Sequence, residues 1–233
     1  MTDRPYTFDE LCSIVKKLRS PEGCPWDRAQ THESLKPCLL EETYEVLDGI
    51  ERLEKTGEYE SLCEELGDLL LQVLMHSQIA QEEKGFTLED VISGISRKMI
   101  RRHPHVFGDK RQVLAQEVPG SWEALKKQEK HQRSLKQELE EIPHQLPALV
   151  RAQKIQKKLA GAGVEAPSRQ ELLEKLNVCL NRMQTARADE YLGGELLWLA
   201  ADLLRQDGVY AELALGTVSQ KAISAQKDRE ENL

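Results

Sequence analysis

Five carboxylates at short helical intervals, Glu41, Glu42, Glu45, Glu65 and Asp68, are the residues whose types and spacing could do chemistry. Each residue of an α-helix advances about 100°, so Glu41, Glu42, Glu45 and Asp48 fall within an arc of roughly 120° and make one acidic face. Leu39, Val46, Leu47 and Ile50 lie on the other side. Taken alone, such a face is ordinarily a solvated one. Glu65 and Asp68 change the reading, because Leu62, Leu66, Leu69, Leu70, Leu71, Val73, Leu74 and Met75 wrap most of their helix and predict that it is buried. On the remaining strip the two acids sit about 60° apart, with Gln72 between them. Desolvated like charges require protons or cations. A hard divalent cation, Mg²⁺ with Mn²⁺ as a substitute, suits carboxylates without imidazole or thiolate companions. A di-iron carboxylate site would want two Glu-x-x-His pairs, and neither helix has an acid three residues before a histidine.

The elements that must position these acids read as helices throughout, with almost no alternating or β-branched runs. The expected fold class is therefore all-α. Thr7 with Glu10 forms a capping box for a first helix that Ser20-Pro21 stops. After a loop over 21–30, a second helix runs from about Thr31 to Lys55, tolerating Pro37 at some cost. Ser61 with Glu64 predicts the start of a third helix, ending near Lys84-Gly85. Thr87 with Asp90 opens a fourth, which closes in a basic turn before His103-Pro104. From Val113 to Glu141 the chain is polar and helix-prone, with Trp122 as its one large aromatic. Pro143, Pro147, Gly161 and Gly163 mark hinges, dividing the chain into 1–140, a hinge helix over 141–167, and 168–233 with about three more helices.

Composition narrows the class. The 233 residues are 39% hydrophobic and 31% charged, ordinary for a globular protein, and a net charge of -8 disfavours nucleic acid as a partner. No apolar run approaches a membrane span, and the N-terminus has no export-signal pattern, so the expected location is the cytoplasm without membrane attachment. The five cysteines, Cys12, Cys24, Cys38, Cys63 and Cys179, are odd in number and lack CxxC spacing, which predicts reduced thiols.

The pair Glu41-Glu42-Thr43-Tyr44-Glu45 and Glu65-Leu66-Gly67-Asp68 resembles the Glu-Glu-x-x-Glu and Glu-x-x-Asp helices of the MazG family of nucleoside triphosphate pyrophosphohydrolases. The short acidic patterns lie inside longer matching stretches: GCPWDRAQTHESL at 23–35, LLEETYEVLDGI at 39–50, EELGDLLLQV at 64–73 and RRHPHVFGD at 101–109. The close match covers roughly 7–130, with weaker likeness over 147–158. The resemblance implies an all-α bundle on a four-helix core, assembled as a homodimer or higher homo-oligomer. It also implies Mg²⁺-dependent cleavage of nucleoside triphosphates between the α and β phosphates, a nucleotide-pool housekeeping activity. Glu41, Glu42, Glu45 and Asp68 would then hold metal. Glu65 would be a further ligand or the base that orients water, so Glu65 and Glu42 stand closest to catalysis. Lys98, Arg101 and Arg102 suit phosphate oxygens, though cations at a helix C-terminus also favour the macrodipole. Trp26 could stack on the nucleotide or anchor its loop. His32, His103 and His105 read as hydrogen-bonding or capping residues.

A faint internal repeat follows. Leu192-Gly193-Gly194-Glu195-Leu196-Leu197 aligns with Glu65 to Leu70 but replaces the first acid by Leu192, and Asn177, Val178 and Asn181 fall where the three glutamates would stand. The expectation is a degenerate, catalytically silent second helical domain. Two other functions fit the same residues: a nucleotide- or metal-sensing module without turnover, and a narrower pyrophosphatase for dUTP-like or phosphoribosyl nucleotides.

Overall fold

A computed structural model describes residues 4–108, 134–164 and 166–231, and among these every regular element is a helix. The chain divides into two compact units, Met1–Lys126 and Lys127–Leu233. The Trp122 segment lies outside the described residues.

In the first unit, α1 (Phe8–Leu18), α2 (Pro25–Ala29), α3 (Lys36–Thr56), α4 (Glu60–Glu82), α5 (Leu88–Arg102) and α6 (Pro104–Phe107) follow one another. The capping boxes expected at Thr7/Glu10 and Thr87/Asp90 are both formed. The one expected at Ser61/Glu64 is not. α4 starts earlier, at Glu60, and its N-cap Tyr59 makes no side-chain capping bond. Thr31 does not open α3 directly. Thr31 and Ser34 cap each other's backbone N–H across a turn, and α3 begins at Lys36 with Pro37 in its first two positions, where the missing N–H costs nothing. The loop over 21–30 contains the short α2.

α3 and α4 form the dominant packed pair, with α1 and α5 also on α4. Gly57, in the left-handed region at φ 77°, ends α3 and turns the chain back. A Cβ at Gly49 would stand 3.0 Å from the Leu62 Cα, so glycine lets the two backbones close up there. The core gathers Val15, Leu35, Leu74, Met75 and Ile79, flanked by Leu11, Cys12, Leu70, Leu71 and Leu88. α4 is therefore not buried all round as its composition predicted. Its C-terminal half supplies the core, while Leu66 and Val73 are 49% and 40% exposed. Among the described residues, the neighbours of α4 cover one side of the helix and leave Leu66 and Val73 on the other exposed.

Arg19 is the polar tie of this unit. Its buried guanidinium pairs with Glu82 at 2.7 Å and donates to the carbonyls of Asp27 and Gln30 at 2.6 and 3.1 Å. α1, α2 and the end of α4 thus share one cation, which adds a second donor to the Asp27 carbonyl, already bonded by the Gln30 N–H, and supplies one to the Gln30 carbonyl.

The second unit holds α7 (Leu135–Glu140), α8 (Ala148–Gly161), α9 (Arg169–Thr185), α10 (Glu190–Gln206) and α11 (Ala211–Glu231). Leu172, Cys179, Leu192 and Leu199 form its core between α9 and α10. The hinge segment 141–167 contains α8, which packs on α10 and α11 as part of this unit. Two buried amides fasten it: Gln153 donates to the carbonyls of Ala201 and Val209 and accepts from the Ala211 N–H, and Gln156 donates to the Trp198 carbonyl. The five cysteines form no disulfide. Among the described residues no helix is long and apolar enough to cross a membrane.

Candidate active site

The close packing of α3 on α4 sets a register in which Gly49 meets Leu62, and one turn further along Glu45 comes opposite Glu65. Carboxylate oxygens of Glu42, Glu45 and Glu65 all lie within 4.8 Å of one another. Three of the five expected acids are thus brought together from two helices. Glu41 and Asp68 stand outside this trio, Glu41 exposed and Asp68 half-buried.

The trio is electrostatically unhappy in the way a cation relieves. Desolvation raises the pKa of Glu42 above the ordinary carboxylate value, and the charges of Asp68, Glu45 and Glu65, with a hydrogen bond to Glu45, raise it further. Glu65 is also raised, by desolvation first and then by Glu45, Glu64 and Asp68, while Arg52 acts in the opposite sense. Asp68 therefore reaches the site through its field. Oxygens around one octahedral Mg²⁺ stand up to about 4.2 Å apart. A 4.8 Å spread of hard oxygen donors fits such a cation after small side-chain rotations.

The other expected contributors are less convergent. Lys98, Arg101 and Arg102 share the final turns of α5, which packs on α4, and they do not belong to the trio. Trp26 projects from α2 and is 65% exposed, so it does not anchor its loop in the core. His103 caps α5, with Nδ1 2.7 Å from the Met99 carbonyl oxygen, as a capping residue should.

His32 has a partner that no spacing rule indicates, His76 on α4. Their Nδ1 atoms are 2.8 Å apart and the rings are parallel to 3°. Parallel rings with atoms this close cannot be stacked at van der Waals distance, so they meet edge to edge in an N–H···N bond. His32 Nε2 points toward Glu83, 3.9 Å away, while His76 Nε2 is buried without a partner. The consistent tautomers put hydrogens on His32 Nε2 and His76 Nδ1. Charging the pair while keeping the bond would place a proton on the buried His76 Nε2, and burial followed by the field of His32 lowers the His76 pKa accordingly. A lowered folded-state pKa means that the unfolded chain binds more protons, so stability falls as pH drops through the ordinary imidazole value of about 6.5. His76→Asn should flatten urea-unfolding stability between about pH 7 and 5.5. An unchanged pH slope would refute the shared-proton account.

Residues 30–107, which contain α3, α4 and α5, match the family described as the MazG nucleotide pyrophosphohydrolase domain. Across the longer chain, 41% of 223 aligned residues are identical to a nucleoside triphosphate pyrophosphohydrolase of Escherichia coli K12, covering 92% of this chain and 83% of that protein. A nucleoside triphosphate pyrophosphohydrolase/pyrophosphatase MazG of Thermotoga maritima is 42% identical over 238 residues, 99% of this chain and 88% of its own length. An uncharacterised Bacillus subtilis protein, YabN, is 48% identical over 152 residues, 65% of this chain but 30% of its own.

Proposed function

The chain belongs to the MazG nucleotide pyrophosphohydrolase family, and from that premise we propose that it hydrolyses nucleoside triphosphates to monophosphate and pyrophosphate with Mg²⁺, or Mn²⁺ in its place. The observation that carries the reading is the convergence of Glu42, Glu45 and Glu65 within the family-matched segment. These three would hold the cation, with Glu41 and Asp68 completing the negative field. When bound, the cation would supply charge neutralisation at phosphate oxygens and a more acidic water. Glu65 is proposed either as a further ligand or as the base that takes the proton of an attacking water at its carboxylate oxygen. One water is consumed, the anhydride between the α and β phosphates breaks, and pyrophosphate departs. Lys98, Arg101 and Arg102 are the cations proposed to meet the triphosphate, and Trp26, exposed at the surface, is proposed to stack on the base or ribose.

The second unit we read as a silent, degenerate copy. Leu192, aligned with Glu65, is buried in the core of that unit, and Glu195, aligned with Asp68, pairs with Arg182 at 3.5 Å. A cation is therefore already supplied by the chain. We further propose a cytoplasmic homodimer with a role in nucleotide-pool housekeeping. Support for the dimer comes from Leu39, Leu40, Tyr44, Leu47 and Ile50 on α3, and Leu66 and Val73 on α4, which all remain exposed.

One preparation tests the reading. Sedimentation should return twice the chain mass, and incubation with each triphosphate and Mg²⁺ should release pyrophosphate and monophosphate, with Glu195→Gln as fast as the parent. Saturable nucleotide binding without turnover would make the protein a sensor instead. Turnover of dUTP-like or phosphoribosyl nucleotides alone would make it a narrower pyrophosphatase.

A further inference from the structure

Arg52 follows Glu45 by seven residues on α3, two turns along and only about 20° round the helix. It therefore shares the flank that carries Glu45. Between them, Gly49 seats α3 on the α4 backbone at Leu62, and Gly57 turns the chain directly into α4. The end of α3 that bears Arg52 is thus held beside the first turns of α4, ahead of Glu65. The two lysines that flank the helix interior are engaged locally, Lys36 with Glu33 and Lys55 with Glu51. Arg52 is exposed and takes part in no ion pair among the described residues.

We propose that Arg52 is a phosphate-binding residue, gripping the terminal phosphates of the substrate at the edge of the Glu42, Glu45 and Glu65 cluster. The inference rests on the pyrophosphohydrolase reading of that cluster. A triphosphate whose α phosphorus lies at the carboxylates carries its remaining phosphates to the rim, where α3 offers a single free guanidinium. The planar fork of arginine matches two phosphate oxygens at once. As pyrophosphate leaves, negative charge collects on the oxygen that bridged the α and β phosphates, and a fixed cation on the pyrophosphate side favours that step.

The test uses the full chain and inorganic pyrophosphate as probe. Calorimetric titration of pyrophosphate in the presence of Mn²⁺ should show affinity weakened about ten- to hundredfold in Arg52→Ala, with partial recovery in Arg52→Lys. KM for ATP should rise in step, while binding of Mn²⁺ alone and the thermal midpoint stay near the parent. Should Arg52→Ala not fold, Arg52→Gln and Arg52→Lys carry the same comparison. Pyrophosphate affinity and KM within twofold of the parent would overturn the assignment. So would a pH–rate profile displaced to higher pH with pyrophosphate affinity unchanged, which would make Arg52 the counter-ion of Glu65. A parent protein that hydrolyses no triphosphate would instead refute the functional reading, and the pyrophosphate titration would still decide on Arg52.

Discussion

Glu42→Gln should lower kcat by at least about 10²–10³-fold, and it should make the metal-free protein more stable. The substitution keeps the volume of the side chain and removes one of three convergent charges. In the folded chain the Glu42 carboxyl is raised by desolvation and by its acidic neighbours. The unfolded chain titrates at the ordinary glutamate value of about 4.3. As pH climbs from there through the raised folded value, the folded state holds more protons than the unfolded one, and stability is progressively lost. The deficit is complete above both values and absent below both. At pH 7 without metal, the Gln variant should therefore melt above its parent, and the two should converge in acid. Added Mg²⁺ should raise the parent's melting point and the variant's far less, because a cation relieves what the substitution already removed. Full turnover together with an undiminished Mg²⁺-induced rise would sink the assignment of Glu42 to the metal.

The second large effect is structural. Arg19→Met should destabilise the protein by about 3 kcal/mol, read as a fall in urea midpoint at constant slope. The Arg19 side chain is 4% exposed and that of Glu82 37%, so the loss comes chiefly from the arginine end. Methionine fills the space but leaves the Gln30 carbonyl without its donor and the Asp27 carbonyl with the Gln30 N–H alone. The partially wet Glu82 recovers some hydration, which keeps the cost at the lower end for a broken buried pair. The arginine also holds the Glu82 carboxyl below the ordinary value, chiefly through their hydrogen bond. That stability is present above the unfolded pKa and lost as pH falls through the folded one. The variant should lack this acid-sensitive component. A loss under about 1 kcal/mol would contradict the role given to Arg19.

Local signals are legible in the sequence where a short pattern settles the backbone. Thr7/Glu10 and Thr87/Asp90 fix helix starts because their reciprocal bonds lie within one turn. Ser61/Glu64 has the same hydroxyl-x-x-acid spacing but fails, since Tyr59 and Glu60 already follow the tight turn at Gly57 and the chain enters the helix sooner. Helical arithmetic placed Glu42 and Glu45 on one face and Glu65 on a facing helix, and the family resemblance joined them. It could not say that Glu45 rather than Asp68 stands within reach of Glu65, because that depends on the register Gly49 sets. Arg52 lies seven residues from Glu45 and so on the same flank of the helix, but outside the acidic pattern. His32–His76 and Arg19–Glu82 join residues remote in sequence, and no periodicity encodes such pairs. The burial expected all round α4 failed because composition reports how apolar a helix is, not how many neighbours one chain provides.

The convergence of Glu42, Glu45 and Glu65 within a single helix–turn–helix segment has a kinetic consequence. Its contacts span little more than one hairpin, so the loop-closure entropy for assembling the carboxylates is small and their approach does not wait on the rest of the chain. On the proposed metal reading, Mg²⁺ would be engaged as soon as α3 and α4 zip together and would accelerate folding as well as take part in turnover. The same compactness makes the chemistry a module. On the proposed reading of the second unit as a degenerate copy, a hairpin carrying its whole charge cluster would have been duplicated with the fold and disarmed by substitutions such as leucine at 192, the copy keeping its packing.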